Sequence, residues 1–551
     1  MIKKRFYSVI LTVLMVSMLF TGCSKSKNTD SNSTGGTSAD SSSAGGGSKV
    51  KLTALISKHS LTKDLKEMKW LKDLEEKCGV EVEWQQISAD WDTKKSAMFA
   101  SGNIPDLLFN ATGDSDYVQY KGLFENLSPL IESYAPNLQE MFTDKPEIKQ
   151  LASEMDGEIY ATPRYKCVWP STTCTMFINK KWLDNLGLEI PATFDELEKV
   201  LLAFKEQDAN GNGDTTDEIP MDFQGYENGG AFSPRVLLGS YGVQLTDDAD
   251  CGYFVEDGVV KNYYTDDRYK ELTIFIQKLW QEGLINPEVF TQDYSKYQSV
   301  ARGDGDVAKV GFTFGWETGD RVGVKLKDQY AVVPPLKVTA DSTVDVRWNN
   351  DTYAENYSRN AIAMSSACKN KEAAMKFIDG FYDKLVSMQV MFGGMNEVDK
   401  GISDNDDGTY TVLAPADTSL DPGSWKWTNS IADFGPYYIR EDIKNSLTLS
   451  SDMEAAVNEK SNYTAFSKLD EKKNAYHSAF MKYSVDDIST LAINQANVNN
   501  IVQQTIASWI TDGSDINSAW AAYVDQVNKA GQSQNTEIRQ KAYENYVATL
   551  K

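Results

Sequence analysis

Residues 50–84 read VKLTALISKHSLTKDLKEMKWLKDLEEKCGVEVEW and determine how the fold begins. VKLTALI (50–56) is typical of a buried strand, and VEVEW (80–84) alternates apolar and charged residues as a half-buried strand does. Between them, apolar residues recur at helical spacings of three and four; these are Leu65, Met68, Leu71, Leu74 and Cys78. A second helical stretch ends at Ala100, and a third strand follows in SGNIPDLLF (101–109). This order predicts an α/β fold that begins with a parallel sheet.

A second set of strand and helix signals begins near Thr173. TMFINKKWLDNLG (175–187) predicts a strand, a short helix and a glycine stop, and Thr193 with Glu196 forms a capping box before the next helix. KVGFTFGW (309–316) is typical of a buried strand, and the C-terminal third is mostly helical in pattern. Because a chain of 551 residues is too long for one hydrophobic core, we expect at least two lobes.

The N-terminal sequence is typical of an exported protein. A basic start precedes the uncharged apolar run FYSVILTVLMVSMLF (6–20), which predicts a signal peptide over residues 1–22. LFTGC resembles a bacterial lipobox, so we expect lipidation of Cys23, with palmitate among the attached chains; a plain signal peptide with an incidental Cys is the alternative. Residues 23–48 are rich in Ser and Gly and predict a flexible tether. No later stretch is apolar enough to span a bilayer, so we expect a lipid anchor on the outer face of the membrane of a Gram-positive bacterium.

The composition argues against several classes of partner. The chain has 79 acidic and 55 basic residues and a formal charge of −24, which disfavours nucleic acid and anionic lipid surfaces. Besides Cys23 there are five cysteines, an odd number that predicts no disulfide framework in a chain of this length. Cys167 and Cys174 could form a disulfide, or they could be buried thiols.

The loop DANGNGDTTDEIP (208–220) carries closely spaced oxygen ligands. Its first half has the D-x-N-x-N-G pattern of an EF-hand, in which Gly213 allows the sharp turn. The twelfth position of an EF-hand is a bidentate Glu but is Ile219 here, so the loop is not a complete EF-hand. The predicted ligands of a structural calcium ion are the side chains of Asp208, Asn210, Asn212, Asp217 and Glu218 and the carbonyl of Asp214. A solvated Asn/Asp/Gly turn is the alternative.

Catalytic motifs are not evident, whereas aromatic residues are abundant. The chain has two His, and it carries no GxSxG, HExxH or P-loop motif. Several of its 12 Trp follow predicted strands, where open α/β sheets bind ligands, and aromatic faces can stack on sugar rings. Core packing is the alternative for each of them. The candidate ligand-binding residues are Arg164, Trp169, Trp316, Arg347, Trp348, Trp425 and Trp427.

Eight stretches, in the same order along the chain, resemble the bacterial extracellular solute-binding protein family 1. They resemble in particular its long lipoprotein branch, which includes alginate-binding and other oligosaccharide-binding proteins. The stretches are ASGNIPDLLF, DGEIYATPRY, MFINKKWLDNLGLEIPATFDELEKVL, DANGNGDTTDEIPM, LWQEGLINPEVF, GDVAKVGFTFGW, YAVVPPLK and KNKEAAMKFIDGFYD. They extend over residues 100–383, and with the lipobox and the C-terminal helices the resemblance covers nearly the whole mature chain.

This resemblance implies a two-lobed fold of the type II periplasmic-binding-protein kind, with lobes joined by hinge crossovers and a helical C-terminal part. We expect residues 49–170 and 358–415 in the N-terminal lobe. The C-terminal lobe is expected to hold residues 171–357 and 416–551, with the calcium loop at 208–218. The implied function is that of a monomeric, non-enzymatic receptor. It would capture an oligosaccharide between its lobes and deliver it to the permease subunits of an ABC importer.

The resemblance also bears on the metal loop. The long branch has a calcium loop of pattern D-x-N-x-N-G-x-x-D-E, and this chain has one more residue between Gly213 and the acidic pair. It therefore stays open whether Asp217 or Glu218 is the bidentate ligand.

Two other functions remain as alternatives at this point. One is a receptor of the same fold for a peptide or another non-sugar solute. The other is a surface-anchored carbohydrate-active enzyme, which product formation would reveal.

Overall fold

The computed structural model describes residues 49–225, 232–246, 252–303, 305–352, 356–396, 398 and 400–550. The predicted signal peptide, tether and Cys23 lie outside the described residues, as does Cys251. The strands, in chain order, are β1 (Val50–Ser57), β2 (Val80–Ile87), β3 (Leu107–Phe109), β4 (Ala161–Lys166), β5 (Thr175–Asn179), β6 (Ile219–Asp222), β7 (Tyr253–Glu256), β8 (Val259–Asn262), β9 (Val310–Gly315), β10 (Tyr330–Val333), β11 (Tyr357–Met364), β12 (Ile402–Asp404), β13 (Tyr410–Val412), β14 (Tyr438–Ile439) and β15 (Leu447–Thr448).

Helices cover both sheets and form most of the C-terminal part. The α-helices are Lys69–Lys77, Trp91–Ser101, Asp114–Gln119, Ser128–Tyr134, Pro136–Asp144, Pro146–Ala152, Lys180–Leu186, Phe194–Glu206, Asp267–Gln281, Tyr294–Ala301, Thr318–Val322, Lys371–Gly380, Lys384–Phe392, Pro422–Asn429, Glu441–Ser446, Ser451–Ser461, Val485–Asp512, Ile516–Val527 and Ser533–Thr549. Short 3₁₀ helices are Leu65–Glu67, Pro234–Tyr241, Tyr263–Thr265, Lys327–Gln329, Thr464–Phe466 and Ser478–Phe480, and Asn528–Gln532 is a π-helical turn. Within the described part of the chain, none of these helices combines the length and the apolar character that a bilayer crossing needs.

The first sheet has the strand order β14-β4-β11-β3-β1-β2. β1 pairs in parallel with β2 and β3, as the opening stretch predicts, and β11 pairs antiparallel with β3 and β4. Alternate residues of β1 point to opposite faces, so Leu52, Ala54 and Ile56 join the main core while Leu55 joins a smaller core behind the sheet. The sheet is therefore buried on both faces and mixed rather than fully parallel.

The second sheet has the order β10-β5-β9-β6, in which β6 is parallel to β9 and the other pairs are antiparallel. Its core includes Phe177 of β5 and Phe312 of β9, which are fully buried. Helix Phe194–Glu206 packs closely on β9 at Gly311. A Cβ at Gly311 would lie 2.4 Å from a ring carbon of Phe204, so only glycine allows this approach.

Two crossing segments connect the sheets between β4 and β11, and the chain crosses again after β14. The chain leaves the first sheet after β4 and returns before β11. The segments are bonded to each other, because the Asp351 N–H donates to the Ser171 carbonyl (2.6 Å) and the Thr173 N–H donates to the Asp351 carboxylate (2.9 Å). Each sheet with its helices thus forms one lobe, and the paired crossings join the two.

The C-terminal part contributes to both cores. β14 pairs with β4 at the edge of the first sheet, and Ile431 and Tyr438 are buried in the first core, whereas Val502 and Trp520 are buried in the second. These contacts differ from the expectation that residues 416–551 belong to the second lobe alone. The difference arises because β14 pairs with the first sheet, helices Val485–Asp512 and Ile516–Val527 pack in the second core, and helix Ser533–Thr549 returns to the first.

The described cysteines are free. Cys78, Cys167, Cys174 and Cys368 form no disulfide with one another, so Cys167 and Cys174 are thiols.

Candidate functional site

A cavity of about 290 Å³ lies between the two sheets, close to the crossing segments. Aromatic and charged side chains from both lobes form its walls. The lining residues are Arg164, Lys166, Trp169, Trp316, Glu317, Asp320, Ser358, Pro422, Gly423, Lys426, Trp427, Asp433, Tyr437, Met453 and Ala456.

The wall on the side of the first sheet is built by β4 and helix Pro422–Asn429. Arg164 and Lys166 are two residues apart on β4, so the strand presents both side chains on one face. Trp169 follows where the strand becomes a crossing segment, and Lys426 and Trp427 project from the helix. This wall therefore combines three cations with two indole rings.

The wall on the side of the second sheet begins where β9 ends. Trp316 follows directly, and Glu317 caps helix Thr318–Val322 by accepting the N–H groups of Gly319 and Asp320 (2.9 and 2.6 Å). Gly315 permits this tight turn, since a Cβ there would lie 2.9 Å from the Cβ of Arg321. The turn brings Trp316, Glu317 and Asp320 together at the cavity.

Aromatic rings from the two walls meet inside the cavity. Trp169 and Trp316 are edge to face, with ring centroids 6.3 Å apart and planes at 86°. Trp427 stacks on His59, with centroids 4.7 Å apart and planes at 20°. The Lys426 ammonium lies 5.8 Å from the Trp169 ring and 5.2 Å from the Trp427 ring. Such perpendicular apolar faces, edged by charged groups, suit a ring-shaped ligand that carries hydroxyls.

Asp433 organises the charges of the first wall. Its carboxylate accepts from Lys166 (3.2 Å), Lys426 (3.4 Å) and the Trp427 indole N–H (2.8 Å). Burial favours the neutral acid, but the charges of Lys426 and Lys166 outweigh it and hold the pKa of Asp433 well below its usual range. Asp433 therefore stays ionised and neutralises part of the positive charge of this wall.

Arg164 is less completely bonded than the lysines. Its only hydrogen bond among the described residues is a long one, 3.5 Å from Nη1 to the Gly435 carbonyl, and its buried Nε has no partner among them. A guanidinium in this state can bind a hydroxyl pair or a carboxylate of a ligand with its planar fork.

Carboxyl groups of the second wall are partly protonated near neutral pH. Burial raises the pKa of Glu317 to about 8, and the neighbouring Asp320 and Glu459 add to the shift. Burial and Asp421 raise the pKa of Asp320 to about 6, although Arg302 opposes the change. A protonated carboxyl both donates and accepts hydrogen bonds, which matches the hydroxyl groups of a sugar.

The structure brings together four of the seven predicted ligand residues. Arg164, Trp169, Trp316 and Trp427 line the cavity, and the other three do not. Trp348 is a core residue, 1 % exposed, whose indole N–H donates to the Cys174 carbonyl (3.0 Å). Arg347 lies in a separate surface hollow, where it pairs with Asp345 at 3.0 Å, and Trp425 is buried outside the cavity.

Five charged residues of the cavity were missed by sequence reasoning. For three of them a signal existed: Lys166 follows Arg164 at strand spacing, Glu317 occupies the capping position after Trp316, and Lys426 lies between the candidates Trp425 and Trp427. Asp320 and Asp433 give no local signal, because only the fold brings them to the cavity.

The predicted calcium loop lies between helix Phe194–Glu206 and β6. The Asp208 carboxylate accepts three backbone N–H groups of the loop at 2.8–3.0 Å. The side-chain amides of Asn210 and Asn212 both reach Asp217, at 3.0 and 2.9 Å. One oxygen of Glu218 accepts from the loop backbone, whereas its other oxygen is buried without a hydrogen-bond partner among the described residues.

This loop provides carboxylate, amide and carbonyl oxygens, which are the donors a hard cation prefers. No group of three or more His, Cys, Asp or Glu side chains in the described residues is placed to hold a metal ion. Calcium loops depend also on Asn side-chain oxygens and backbone carbonyls, which are not among those four side-chain types. The unpartnered Glu218 oxygen and the oxygen-only donor set fit a calcium ion.

Comparison with known proteins gives a consistent result. The family described as bacterial extracellular solute-binding protein matches residues 59–383 of this chain. The chain is 30% identical over 500 residues, 88% of each chain, to the fructooligosaccharide ABC transporter substrate-binding protein FusA of Streptococcus pneumoniae. It is 26% identical over 456 residues, 81% of this chain and 83% of that protein, to lipoprotein LipO of Bacillus subtilis.

Solved structures share the whole fold. A solute-binding protein from Bifidobacterium longum infantis, described as HMO-binding, superposes with a TM-score of 0.80 at 31% identity, over 90% of this chain and 99% of that chain. FusA with kestose has a TM-score of 0.80 at 28% identity with the same coverage. The FusA EF-hand mutant with fructo-nystose has a TM-score of 0.80 at 27% identity, again over 90% and 99%. These similarities confirm the two-lobed solute-binding fold.

Proposed function

The chain belongs to the bacterial extracellular solute-binding protein family, and we propose that it captures an oligosaccharide between its two lobes for delivery to an ABC importer. The cavity between the sheets is the proposed binding site. The observation that carries the proposal is the pairing of Trp169 from one wall with Trp316 from the other.

The contents of the cavity support a sugar ligand. Indole rings offer flat apolar faces to the C–H groups of a sugar ring, while Arg164, Glu317 and Asp320 offer donors and acceptors to its hydroxyls. Relatives support the same class of ligand, because FusA is named for fructooligosaccharides and the Bifidobacterium protein is described as HMO-binding. The proposed ligand is therefore a short oligosaccharide.

Binding is proposed to occur without turnover. The family comprises solute-binding proteins, and two carboxyls of the cavity have structural tasks. Glu317 caps a helix, and Asp433 binds two lysines and an indole. The ligand is expected to leave the site chemically unchanged.

Calcium is proposed to bind the loop at 208–218 as a structural ion. The residues that would hold it are Asp208, Asn210, Asn212, Asp217 and Glu218 through side chains and Asp214 through its carbonyl. When bound, the ion would neutralise the crowded carboxylates and fix the connection between helix Phe194–Glu206 and β6. The EF-hand of FusA supports this proposal.

The remaining parts of the proposal concern location and partners. A lipid on Cys23 would hold the protein at the outer face of the membrane, and the similarity to lipoprotein LipO supports this anchor. The permease subunits of an ABC importer are the proposed protein partners, and the receptor is proposed to act as a monomer.

A thermal-shift panel tests the proposal. It should contain kestose, nystose, neutral human milk oligosaccharides, oligogalacturonides and short peptides. We expect a raised melting temperature with one or more oligosaccharides, and chromatography of the incubated sugar should show no new product. Shifts with peptides alone, or new reducing ends, would reject the proposal.

A further inference from the structure

Lys460 is a buried cation next to the proposed ligand site. It lies in the last turn of helix Ser451–Ser461 and is 1 % exposed. Burying an ammonium costs free energy unless carbonyls, carboxylates or aromatic faces replace its water. The groups that contact the Lys460 ammonium therefore indicate the role of its charge.

Two kinds of partner surround the ammonium. Nζ donates to the carbonyls of Thr172 and Thr173, at 3.2 Å each. It also lies 3.5 Å from the centroid of the Trp316 ring, directly over the indole. Lys460 thus contacts both a crossing segment between the lobes and an aromatic residue that lines the cavity.

The carbonyls belong to the place where the two crossing segments are joined. The Thr172 hydroxyl donates to the Asn349 amide oxygen (2.9 Å), and the Thr173 hydroxyl donates to Asp351 (2.6 Å). Asn349 and Asp351 lie on the other crossing segment. The Lys460 ammonium is therefore held by the connection about which the lobes would move.

The ammonium occupies one face of Trp316. A cation over an indole is attracted to the ring most strongly where water is excluded, as it is here. The side chain of Trp316 is only partly buried, at the start of a turn, and its other aromatic contact is the edge-to-face one with Trp169. Without the ammonium the indole could therefore adopt other rotamers more easily. A ligand must then use the opposite face or the edge of the ring.

From these contacts we propose that Lys460 is a positioning residue for ligand capture. It fixes the indole of Trp316 against the crossing segments, so that the ring is already oriented when the ligand arrives. The role rests on the proposed function, since it requires Trp316 to contact the ligand. It also couples the orientation of the ring to the connection between the lobes.

A double-mutant cycle tests this role with the tightest-binding sugar of the panel, kestose being the first probe. Lys460→Met should weaken binding about tenfold in the wild-type background and by less than about twofold in the Trp316→Ala background. Lys460→Arg should restore most of the affinity, because a guanidinium also stacks on indole. An equal loss in both backgrounds would reject the role, since a general structural defect does not depend on Trp316.

Lys460→Gln covers the case in which the Met variant does not fold. Glutamine keeps an N–H donor for the Thr172 and Thr173 carbonyls but removes the cation from the ring. It should therefore keep the melting temperature close to that of wild type and still weaken binding.

A second measurement needs no ligand, so it separates this inference from the proposed function. The fluorescence of Trp316 is obtained by subtracting the spectrum of Trp316→Phe from that of its parent. Lys460→Gln should shift this difference spectrum. It should also make the fluorescence of Trp316 easier to quench with acrylamide, because the indole becomes more accessible. An unchanged difference spectrum would overturn the inference even if sugars bind. A shift without any sugar binding would reject the proposed function and retain only the contact by which Lys460 orients Trp316.

Discussion

Trp169 and Trp316 meet edge to face across the cavity, 6.3 Å between ring centroids, although one follows β4 of the first sheet and the other follows β9 of the second. A ligand that contacts both rings contacts both lobes. This pair therefore links the chemistry of recognition to the arrangement of the lobes.

Removal of either indole should weaken sugar binding. We expect Trp169→Ala and Trp316→Ala each to cost about 2 kcal/mol, or about thirtyfold in Kd, because central aromatic anchors dominate such interfaces. Calorimetric titration measures the effect. Trp280→Phe is the matched control, since Trp280 packs on Phe290 in the second lobe away from the cavity. Wild-type affinity in both cavity variants would contradict the assignment of this site.

Loss of Asp433 should alter both stability and ligand preference. Asp433→Asn removes the carboxylate that binds Lys166, Lys426 and Trp427, so unfolding free energy should fall by about 1–3 kcal/mol near neutral pH. The wall becomes more positive, so oligogalacturonides should bind better relative to neutral sugars. Titration of both sugar classes into both proteins measures this change, and an unchanged preference would contradict it.

The difference in stability between wild type and Asp433→Asn should depend on pH, because the pKa of Asp433 is depressed in the folded protein. The contribution of Asp433 to stability is present above the ordinary Asp pKa of 3.8 and is lost as the pH falls toward the folded-state pKa. The difference in stability between wild type and Asp433→Asn should therefore shrink in acid.

Ionisation of Glu317 should lower the stability of the folded protein as the pH rises. Its pKa is about 8 in the folded protein against an ordinary value of 4.5, so the folded state binds more protons between these values. Stability due to this group is fully present below 4.5 and is lost as the pH rises through about 8. Glu317→Gln should flatten the decrease of the melting temperature between pH 5 and about 8.

Asp73→Asn is a matched control for the slope of melting temperature against pH, because Asp73 is an exposed surface carboxylate paired with Lys69. It should leave the slope unchanged. Some dependence of the melting temperature on pH should remain in Glu317→Gln, since Asp320 has a pKa of about 6. A slope in Glu317→Gln as steep as that of wild type would contradict the assignment.

Two substitutions in the calcium loop, one of a proposed side-chain ligand and one control, test the metal site. Asp208→Ala should remove the bound ion detected by native mass spectrometry and lower the melting temperature. Asp214→Ala should keep the ion, because Asp214 is proposed to bind through its backbone carbonyl and its side chain is exposed. An unchanged melting temperature in chelator would mean that the loop is only a polar turn.

Much of the fold could be read from local patterns, whereas only part of the site could. Strand and helix periods located β1 to β3, and the strand ends pointed to Trp169 and Trp316. Trp348 also follows a strand pattern, but the fold buries it against Tyr463, with ring centroids 4.6 Å apart. Burial of a tryptophan depends on contacts far away in sequence, which no local pattern contains.

Long-range pairing also explains what was missed. Lys166 and Asp433 are separated by 267 positions and meet only because β14 pairs with β4 beside them. β14 has two residues, too few to give a period, so its place in the first sheet could not be predicted. The proposed role of Lys460 could not be predicted either, because it depends on a contact with Trp316, which is distant in sequence.

The proposed function requires that one oligosaccharide binds intact between the lobes. Calorimetric titration of the purified protein with the best sugar of the panel, followed by recovery and mass analysis of that sugar, measures both binding and turnover. We predict one binding site per chain, loss of most of the affinity in Trp316→Ala, and recovery of the sugar unchanged. Absence of binding heat with every sugar of the panel, or recovery of a cleaved product, would contradict the claim.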